Sequence, residues 1–139
     1  MPGGLSQDGY LSQDELQSAP GIPSGDRMRR GPVAVVECVQ EIPCNPCEAA
    51  CPRHAIRVGT PITNRPALDP EKCTGCGLCV PQCPGLAIFV IDLSGPEETA
   101  VITFPYEYLP LPEAGETVDA VDRSGEVVGK GTVLRVVST

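Results

Sequence analysis

Apolar residues fall in short runs along the chain, separated by polar residues, glycines and prolines. Runs of four or five apolar residues between such breakers favour β-strands over helices. On this pattern we predict strands at Val33–Val36, Ala55–Val58, Ala67–Asp69 and Ala87–Ile91. The clearest helix signal is the capping box at 12–15, SQDE, which predicts a short helix through Gln17.

The last third of the chain has a different pattern. The segment ETAVITF at 98–104 is β-like and is followed by the proline-rich bend FPYEYLPLP. The segments ETVDAV, EVVGKG and TVLRVV, with a turn at 123–125 between the first two, predict two or three short antiparallel strands. Because so small a sheet is marginal alone, we expect it to pack on the rest of the chain or on another chain.

These patterns divide the chain into three expected regions. Residues 1–31 form an N-terminal arm, 32–93 a central domain, and 94–139 a small β-rich C-terminal appendage. The arm is either a disordered tail or a segment that binds a partner subunit. Its arginines, Arg27, Arg29 and Arg30, are most simply interpreted as a solvated basic linker.

The composition indicates that the core is small. Among 139 residues there is no Trp, aromatic residues make up 4%, and there are 16 prolines and 15 glycines. Small domains with little apolar material usually need disulfides, metals or partners. The segment before Gly31 lacks the apolar stretch of an export signal, so we expect a cytoplasmic protein. In that reducing environment the eight cysteines indicate metal rather than disulfides.

Charge and hydropathy exclude two kinds of partner. The formal net charge is −8 at pH 7 and there is no basic stripe, which argues against nucleic-acid binding. No apolar run approaches the length of a membrane span. The acidity fits a protein partner that has a complementary basic surface.

The central domain contains an internal repeat with a constant offset, in which position 44 corresponds to position 76. The segment CNPCEAACPRHAIRV at 44–58 aligns with CGLCVPQCPGLAIFV at 76–90, so that three cysteines and a proline coincide. Each half predicts a cysteine loop, a helical turn and a strand. We therefore expect an α+β fold, ferredoxin-like, with a pseudo-twofold relation between the halves.

The second half contains the full spacing C-x2-C-x2-C-x3-C-P, formed by Cys73, Cys76, Cys79, Cys83 and Pro84. This run binds 4Fe-4S clusters in bacterial ferredoxins, and its fourth cysteine ligates the other cluster when there are two. Gly75 and Gly77 let the backbone approach the cluster, so that its N–H groups can hydrogen-bond the sulfurs. The proline ends the loop and has no N–H to satisfy, and Pro52 occupies the same place in the first half.

The repeat predicts two 4Fe-4S clusters with crossed ligands. Cluster two takes Cys51, Cys73, Cys76 and Cys79. Cluster one takes Cys44, Cys47, Cys83 and one further ligand. Cys38 is the remaining cysteine, although five residues rather than two separate it from Cys44. We predict that Cys38 completes cluster one through a wider loop.

Other interpretations stay open at this point. Cluster one could be a 3Fe-4S cluster with Cys38 idle, or Glu41 could supply an oxygen ligand, although clusters prefer soft thiolates. Pairs of C-x2-C also occur in zinc sites, which would make the chain a zinc-stapled interaction module. Zinc sites use separated pairs, however, rather than two tandem runs that end in Cys-Pro.

The remaining sequence offers no catalytic chemistry. His54, the single histidine, follows Cys51-Pro52, and we interpret it as a turn residue that could tune a cluster by hydrogen bonding. There is no dinucleotide fingerprint, phosphate-binding loop or nucleophile elbow. We therefore expect no substrate-converting site, but a chain that relays electrons between partners.

From Val33 to about Leu93 the sequence resembles two-cluster bacterial ferredoxins, most clearly in AIRVGTPITNRPALDPEKCTGCGLCVPQCPGLAI. The segment PSGDRMRRGPVAVVECVQEIPCNPCEAACP is similar to small iron–sulfur subunits of multi-subunit FAD-dependent amino-acid dehydrogenases, which act on proline, hydroxyproline or related amines. This resemblance implies that Cys38 is a ligand. It also implies flavoprotein partners that hold the FAD or FMN in a hetero-oligomeric complex. The alternative is a free diffusible ferredoxin, but free ferredoxins lack the arm and the appendage.

Overall fold

The computed structural model describes residues 4–138, and the chain divides into two compact units. Residues 14–105 form the cysteine-rich unit. The described parts of residues 1–13 and 106–139 form the other, called here the hairpin unit. The three regions expected from the sequence, with boundaries after residues 31 and 93, do not coincide with these two units. That three-part division stays a prediction.

The elements are short throughout the described residues. The helices are α1 (Leu5–Asp8), α2 (Gln13–Ser18), α3 (Gly25–Arg29) and α4 (Pro46–Ala50), with a 3₁₀ turn at Val80–Gln82. The strands are β1 (Val33–Val36), β2 (Ile56–Arg57), β3 (Ala67–Leu68), β4 (Ile88–Asp92), β5 (Val101–Thr103), β6 (Thr117–Val121) and β7 (Val127–Thr132). The chain is thus a small mixed protein of few helices and antiparallel sheets. Within residues 4–138, no helix has the length and apolar character needed to cross a membrane.

Within residues 4–138 there are three antiparallel sheets, and two of them lie in the cysteine-rich unit. The strand order is β1-β4-β5 in one sheet and β2-β3 in the other. Each of the four strands predicted before residue 93 is present, although β2 and β3 are shorter than expected. Val36 pairs with Ile88 across the first sheet, and Ile56 pairs with Leu68 across the second. These two pairs exchange under the repeat offset, because 36 becomes 68 and 56 becomes 88.

The core of the cysteine-rich unit is small and lies against the cysteines. Val33, Val36, Ile56 and Ile88 are its largest fully buried side chains. Cys47 and Cys79 are buried in the same apolar cluster, and four other cysteines pack against it: Cys38, Cys51, Cys73 and Cys83. The strands therefore place their buried faces directly beneath the thiols.

Residues of the N-terminal arm pack on this unit. The carbonyl of Pro20 accepts a hydrogen bond from the Leu68 N–H (3.1 Å), and that of Gly21 accepts one from the Val36 N–H (2.9 Å). A Cβ at Gly21 would lie 2.4 Å from the Val36 carbonyl oxygen, so the close approach requires glycine here. The interpretation of residues 14–31 as a disordered tail is therefore wrong, because both sheets use this segment as a hydrogen-bond partner.

The expected β appendage, residues 94–139, is divided between the two units. Strand β5, from ETAVITF, pairs with β4, with Val90 opposite Thr103, and so belongs to the cysteine-rich unit. In the hairpin unit β6 and β7 form a two-stranded sheet with the expected turn between them. TVLRVV contributes only Thr132 to β7, and residues 133–138 are not in a strand.

Candidate metal centre

The two cysteine loops end in the same local conformation. Helix α4 has a proline in its first turn and Cys51 as its C-cap residue, and the 3₁₀ turn likewise has a proline in its first turn and Cys83 as its C-cap residue. The backbone dihedrals (φ, ψ) are −83°, 110° at Cys51 and −77°, 114° at Cys83. The residues three positions later, His54 and Leu86, both adopt left-handed conformations, with φ of 57° and 55°. Because leucine rarely adopts a positive φ, the loop geometry must impose this conformation.

The eight thiols are free and border two cavities, four in each. The Cys73 cavity is lined by Cys51, Cys73, Cys76 and Cys79. The Cys38 cavity is lined by Cys38, Cys44, Cys47 and Cys83. The two are similar in size, with about 320 and 290 Å³ of atom-free space including their open mouths. The structure thus brings together the same two sets that crossed ligation predicts, with Cys51 and Cys83 exchanged between the loops.

The widened first loop brings Cys38 to its cavity and leaves Glu41 outside. Cys38 is partly buried and packs against the apolar core. Burial raises the pKa of its thiol, and the neighbouring Cys83 and Cys44 add to the rise. Glu41 is exposed and is not among the residues that line the Cys38 cavity. Of the two candidates for the fourth ligand, the thiol is therefore the one in position.

Burial perturbs the two deepest thiols most strongly. It raises the pKa of Cys47 to about 11 and that of Cys79 to about 12. Nearby thiols of the same cavity contribute to both rises, for example Cys73 and Cys51 beside Cys79. A thiolate in such a site needs a compensating positive charge, which a coordinated metal supplies. Both cavities therefore suit metal binding better than free thiolate chemistry.

Backbone N–H groups point at several sulfurs. The Sγ of Cys51 accepts a hydrogen bond from the Ala55 N–H (3.2 Å), and that of Cys83 accepts one from the Ala87 N–H (3.4 Å). Although burial alone would raise the pKa of Cys51, its backbone donors, beginning with Ala55, lower it overall. Such N–H···S bonds stabilise thiolate ligands and tune iron–sulfur clusters.

Gly75 shapes the loop of the Cys73 cavity. Its φ is +72°, and its N–H donates to the Cys73 Sγ (3.4 Å). A Cβ there would lie 2.5 Å from both the Cβ and the carbonyl oxygen of Pro32. Gly77 also has a positive φ (+80°), but a Cβ there would fit, because its nearest neighbour, the Val90 Cγ2, would lie 3.9 Å away. The cradle therefore depends on Gly75 for space as well as for conformation.

The donor set fits an iron–sulfur cluster at each cavity. In residues 4–138, no three Cys, His, Asp or Glu side chains form a group arranged to hold one metal ion. In a 4Fe-4S cluster each thiolate instead binds its own iron, so four thiols spaced around one cavity are the relevant arrangement. Soft sulfur ligands and directed N–H groups are present at both cavities, and the Cys73 cavity has a glycine cradle as well. That these thiols are the cluster ligands stays a prediction.

The other predicted site residues divide into two groups. Pro52 lines the Cys73 cavity and Pro84 lines the Cys38 cavity. His54 is exposed and is not among the lining residues of either cavity. Its N–H donates to the Cys51 carbonyl (3.2 Å), as that of Leu86 does to the Cys83 carbonyl (3.3 Å). This contact belongs to the backbone and is independent of the imidazole.

One residue beside the site is not predicted from the sequence. Arg27, expected in a solvated linker, is only 9% exposed and donates a hydrogen bond to the Cys73 carbonyl (2.8 Å). That interpretation is wrong because α3 folds onto the cysteine-rich unit. No pattern in the sequence distinguishes Arg27 from the exposed Arg29 and Arg30.

Comparison with known proteins gives the class of this domain. Residues 66–89, which include Cys73, Cys76, Cys79 and Cys83, match the family model of the 4Fe-4S binding domain. The chain therefore contains a ferredoxin-type 4Fe-4S domain, and this class supports an electron-transfer role. No solved structure matches the chain.

Several curated proteins are similar to the chain. Protein Pixie of Drosophila melanogaster is 33% identical over 104 residues, which cover 66% of this chain and 16% of that protein. ABC transporter E family member 1 of Arabidopsis thaliana is 32% identical over 133 residues, or 81% of this chain and 20% of that protein. One subunit of the Na(+)-translocating ferredoxin:NAD(+) oxidoreductase complex of Acetobacterium woodii is 53% identical over 38 residues, or 27% of this chain and 11% of that protein. The chain thus spans about a fifth or less of each relative. These comparisons do not show the finer resemblance to amino-acid dehydrogenase subunits.

Proposed function

We propose that this chain relays single electrons through two 4Fe-4S clusters with crossed ligands. Cluster one would be held by Cys38, Cys44, Cys47 and Cys83, and cluster two by Cys51, Cys73, Cys76 and Cys79. The observation that supports this most directly is the division of the eight cysteines between two cavities of similar size. Each loop contributes its last cysteine to the cavity of the other loop, as in two-cluster ferredoxins.

We further propose that the two halves are related by a pseudo-twofold axis. Equivalent N–H···S bonds, left-handed residues and Cys dihedrals recur at the repeat offset. The bond from the Asp69 N–H to the Ala55 carbonyl and that from the Glu37 N–H to the Ala87 carbonyl also exchange under this offset. Such a relation would give both clusters the same kind of cradle.

The residues of the chain hold and tune the clusters rather than convert a substrate. A bound 4Fe-4S cluster supplies reversible one-electron chemistry. The N–H groups of Ala34, Ala55 and Ala87 stabilise negative charge on the ligand sulfurs. Buried residues such as Val36, Ile56 and Ile88 exclude water from the inner face of each cavity. Nothing in this arrangement activates a substrate bond, so the chain depends on partners to supply and accept electrons.

The partner we propose is a flavin-containing dehydrogenase subunit, in the cytoplasm, that oxidises an amino acid such as proline or a related amine. The flanks of the first cysteine loop resemble the iron–sulfur subunits of such complexes. A flavin that accepts two electrons as a hydride must release them one at a time to a cluster chain. The FAD or FMN would stay in the partner subunits.

A second candidate is an iron–sulfur domain that serves an ATP-binding-cassette protein. It is favoured by the identity of 32% over 81% of this chain to ABC transporter E family member 1. Purification of the native protein distinguishes the two proposals. A co-purifying flavoprotein would support the dehydrogenase proposal, whereas a single longer polypeptide with nucleotide-binding domains would support the second candidate.

The ligand assignment is tested by removing Cys38. We expect Cys38→Ala to abolish cluster one or convert it to a 3Fe-4S form while cluster two stays intact, as monitored by electron paramagnetic resonance. The matched variant Cys79→Ala should show the reverse pattern. Two unchanged 4Fe-4S signals in Cys38→Ala would show that Cys38 is not a ligand. Iron, sulfide and zinc analysis of anaerobically purified protein is the companion measurement, and zinc without sulfide would end the relay proposal.

A further inference from the structure

Arg27 is a buried cation whose side-chain hydrogen bonds go to neutral carbonyl groups. Its Nε donates to the Pro70 carbonyl (2.8 Å), and its Nη1 donates to that of Gly31 (3.1 Å). Its Nη2 donates to the carbonyls of Pro32 (3.2 Å) and Cys73 (2.8 Å). Four contacts satisfy most of the five guanidinium donors, so the side chain is held in one position.

The charge of Arg27 is not cancelled by a carboxylate. In the part of the chain that the structure describes, the nearby acids pair with exposed cations: Asp26 with Arg29 (3.1 Å) and Glu71 with Arg30 (2.8 Å). The hydrogen bond and charge of Arg30 lower the pKa of Glu71 most, and the charge of Arg27 contributes less. Asp69 lies 4.0 Å from Lys72. A buried positive charge without an ion-pair partner thus contacts the backbone carbonyl of Cys73, the residue whose thiol lines the Cys73 cavity.

The sulfurs of the two cavities also differ in their hydrogen bonds. Within residues 4–138, the Cys73 cavity has three N–H···S bonds, from Ala34 (3.3 Å), Gly75 (3.4 Å) and Ala55 (3.2 Å). The Cys38 cavity has one bond of the same geometry, from Ala87 to Cys83 (3.4 Å). The backbone groups of Gln40 at Cys38 and of Glu48 at Cys47 also act to lower the pKa of those thiols. Hydrogen bonds to ligand sulfurs and nearby positive charge both favour the reduced form of a cluster. The N–H···S bonds of the Cys73 cavity and the charge of Arg27 would therefore both favour reduction of cluster two.

We infer that Arg27 makes cluster two the more easily reduced of the two clusters, so that an electron shared between them resides mainly on cluster two. Arg27 is a positioning and electrostatic residue, which acts through the backbone of the Cys73 loop. This inference rests on the proposed function, because it takes both clusters as bound. It gives the relay a direction inside the chain, from cluster one towards cluster two.

The expected size follows from Coulomb's law. At an effective dielectric constant of about 20, a unit charge shifts a one-electron equilibrium about a thousandfold from 4 Å and roughly tenfold from about three times that separation. We take the smaller value, because Arg27 acts through the backbone of the Cys73 loop. A tenfold shift corresponds to about 59 mV for a one-electron couple.

The experiment is a redox titration of the anaerobically prepared full chain, monitored by electron paramagnetic resonance. The signals are assigned with Cys47→Ala and Cys79→Ala, which remove a ligand from cluster one and cluster two respectively. We expect Arg27→Gln to lower the reduction potential of cluster two, so that its share of the electron falls roughly tenfold, and to leave cluster one nearly unchanged. Arg27→Lys keeps the charge and should keep most of the difference.

Arg30→Gln is the matched control, because it removes the same charge from a side chain that is 58% exposed and bound to Glu71. It should shift cluster two far less than Arg27→Gln does. Equal shifts in the two variants, or equal shifts in Arg27→Gln and Arg27→Lys, would overturn the inference. If Arg27→Gln fails to fold, the order of the two reduction potentials in the wild type and the Arg27→Lys variant still test the inference. A wild-type protein in which cluster two is the harder to reduce would overturn it. Absence of iron and sulfide from the wild type would instead overturn the proposed function itself.

Discussion

Every residue of β1 in the cysteine-rich unit is buried, whereas every residue of β6 in the hairpin unit is exposed. The first unit packs its strands against six of its eight cysteines, and close approaches such as that of Gly75 to Pro32 join residues far apart in sequence. The hairpin unit is organised by a local turn, in which the Asp122 Oδ1 accepts from the Ser124 N–H (2.9 Å) and the Glu126 N–H (3.1 Å). The comparison shows two different sources of order in one small chain: long-range packing around a cofactor site, and short-range turn chemistry.

Removal of iron should produce the largest difference between the two units, measured as amide protection. The cysteine-rich unit has a small apolar core, and burial disfavours the thiolates of Cys47 and Cys79 without a metal. We expect chelation to reduce the amide protection of Val33–Val36 to that of an unfolded segment. The protection of the β6–β7 hairpin should not change. Hydrogen exchange with mass spectrometry of the holo and apo chains measures both regions in one sample, and equal β1 protection in the two forms would contradict the expectation.

Features encoded within a few residues were predictable from the sequence, and the structure shows them. The run Val33–Val36 is β1, and the turn at 123–125 joins β6 to β7. The sets of cysteines that share a cavity were also predicted, although they join distant segments, because the cysteine spacing repeated in both halves is typical of ferredoxins with crossed ligands. Whether these cysteines ligate, and whether amino-acid dehydrogenase subunits are the partners, stay predictions.

Distant contacts outside the cysteine repeat were not predictable. The burial of Arg27 requires the carbonyls of Pro70 and Cys73, which belong to a segment far along the chain. The pairing of β5 with β4 and the close approach of Gly21 to Val36 likewise join separate segments. A single sequence contains no signal for such contacts, because each partner alone looks like an ordinary loop or arm residue.

Two glycines with left-handed backbones, one in each unit, differ in the space around them. Gly75 has a φ of +72° and no room for a Cβ, whereas Gly125 in the hairpin turn has a φ of +91° and nothing within 4 Å. Gly125→Ala should cost only the left-handed backbone term of about 1–2 kcal/mol. Gly75→Ala adds a clash with Pro32 and should cost about 3 kcal/mol or more in the free energy of unfolding of its unit.

Chemical denaturation, with a local probe in each unit, measures these two costs. Electron paramagnetic resonance should also show that Gly75→Ala broadens or removes the cluster two signal, since its N–H donates to Cys73. Gly59→Ala is the control within the same unit, because Gly59 also has a positive φ (+69°) but nothing lies within 4 Å of an added Cβ. Equal losses of stability in Gly75→Ala and Gly59→Ala would mean that the contact with Pro32 does not constrain the loop.

The smallest expected effects are changes in amide exchange on removal of either of two carboxylates that accept hydrogen bonds from backbone N–H groups. The Glu48 Oε2 in α4 accepts from Val58 (2.8 Å) and Gly59 (3.0 Å), so it ties the first cysteine loop to the end of β2. The Val58 N–H, followed by that of Gly59, lowers the pKa of Glu48 below its ordinary value of 4.5. In the hairpin turn, the Ser124 hydroxyl and then the Glu126 N–H lower the pKa of Asp122 below 3.8.

Because both pKa values are lower in the folded chain, each carboxylate stabilises it fully above its unfolded pKa, and this contribution is lost as the pH falls through the folded pKa. At pH 7 we therefore expect Glu48→Gln to speed amide exchange at Val58 and Gly59 modestly, since water reaches and screens both carboxylates. Asp122→Asn should speed exchange only at Ser124 and Glu126. As the pH falls below 3.8, Asp122→Asn should approach the wild type, because the wild-type carboxyl is then progressively neutralised. Nuclear magnetic resonance exchange rates at pH 7 test both variants, and a series at falling pH tests the hairpin turn alone, because acid protonates the thiolates that would hold the clusters. A Glu48→Gln effect confined to α4 would show that Glu48 does not link the cysteine loop to β2.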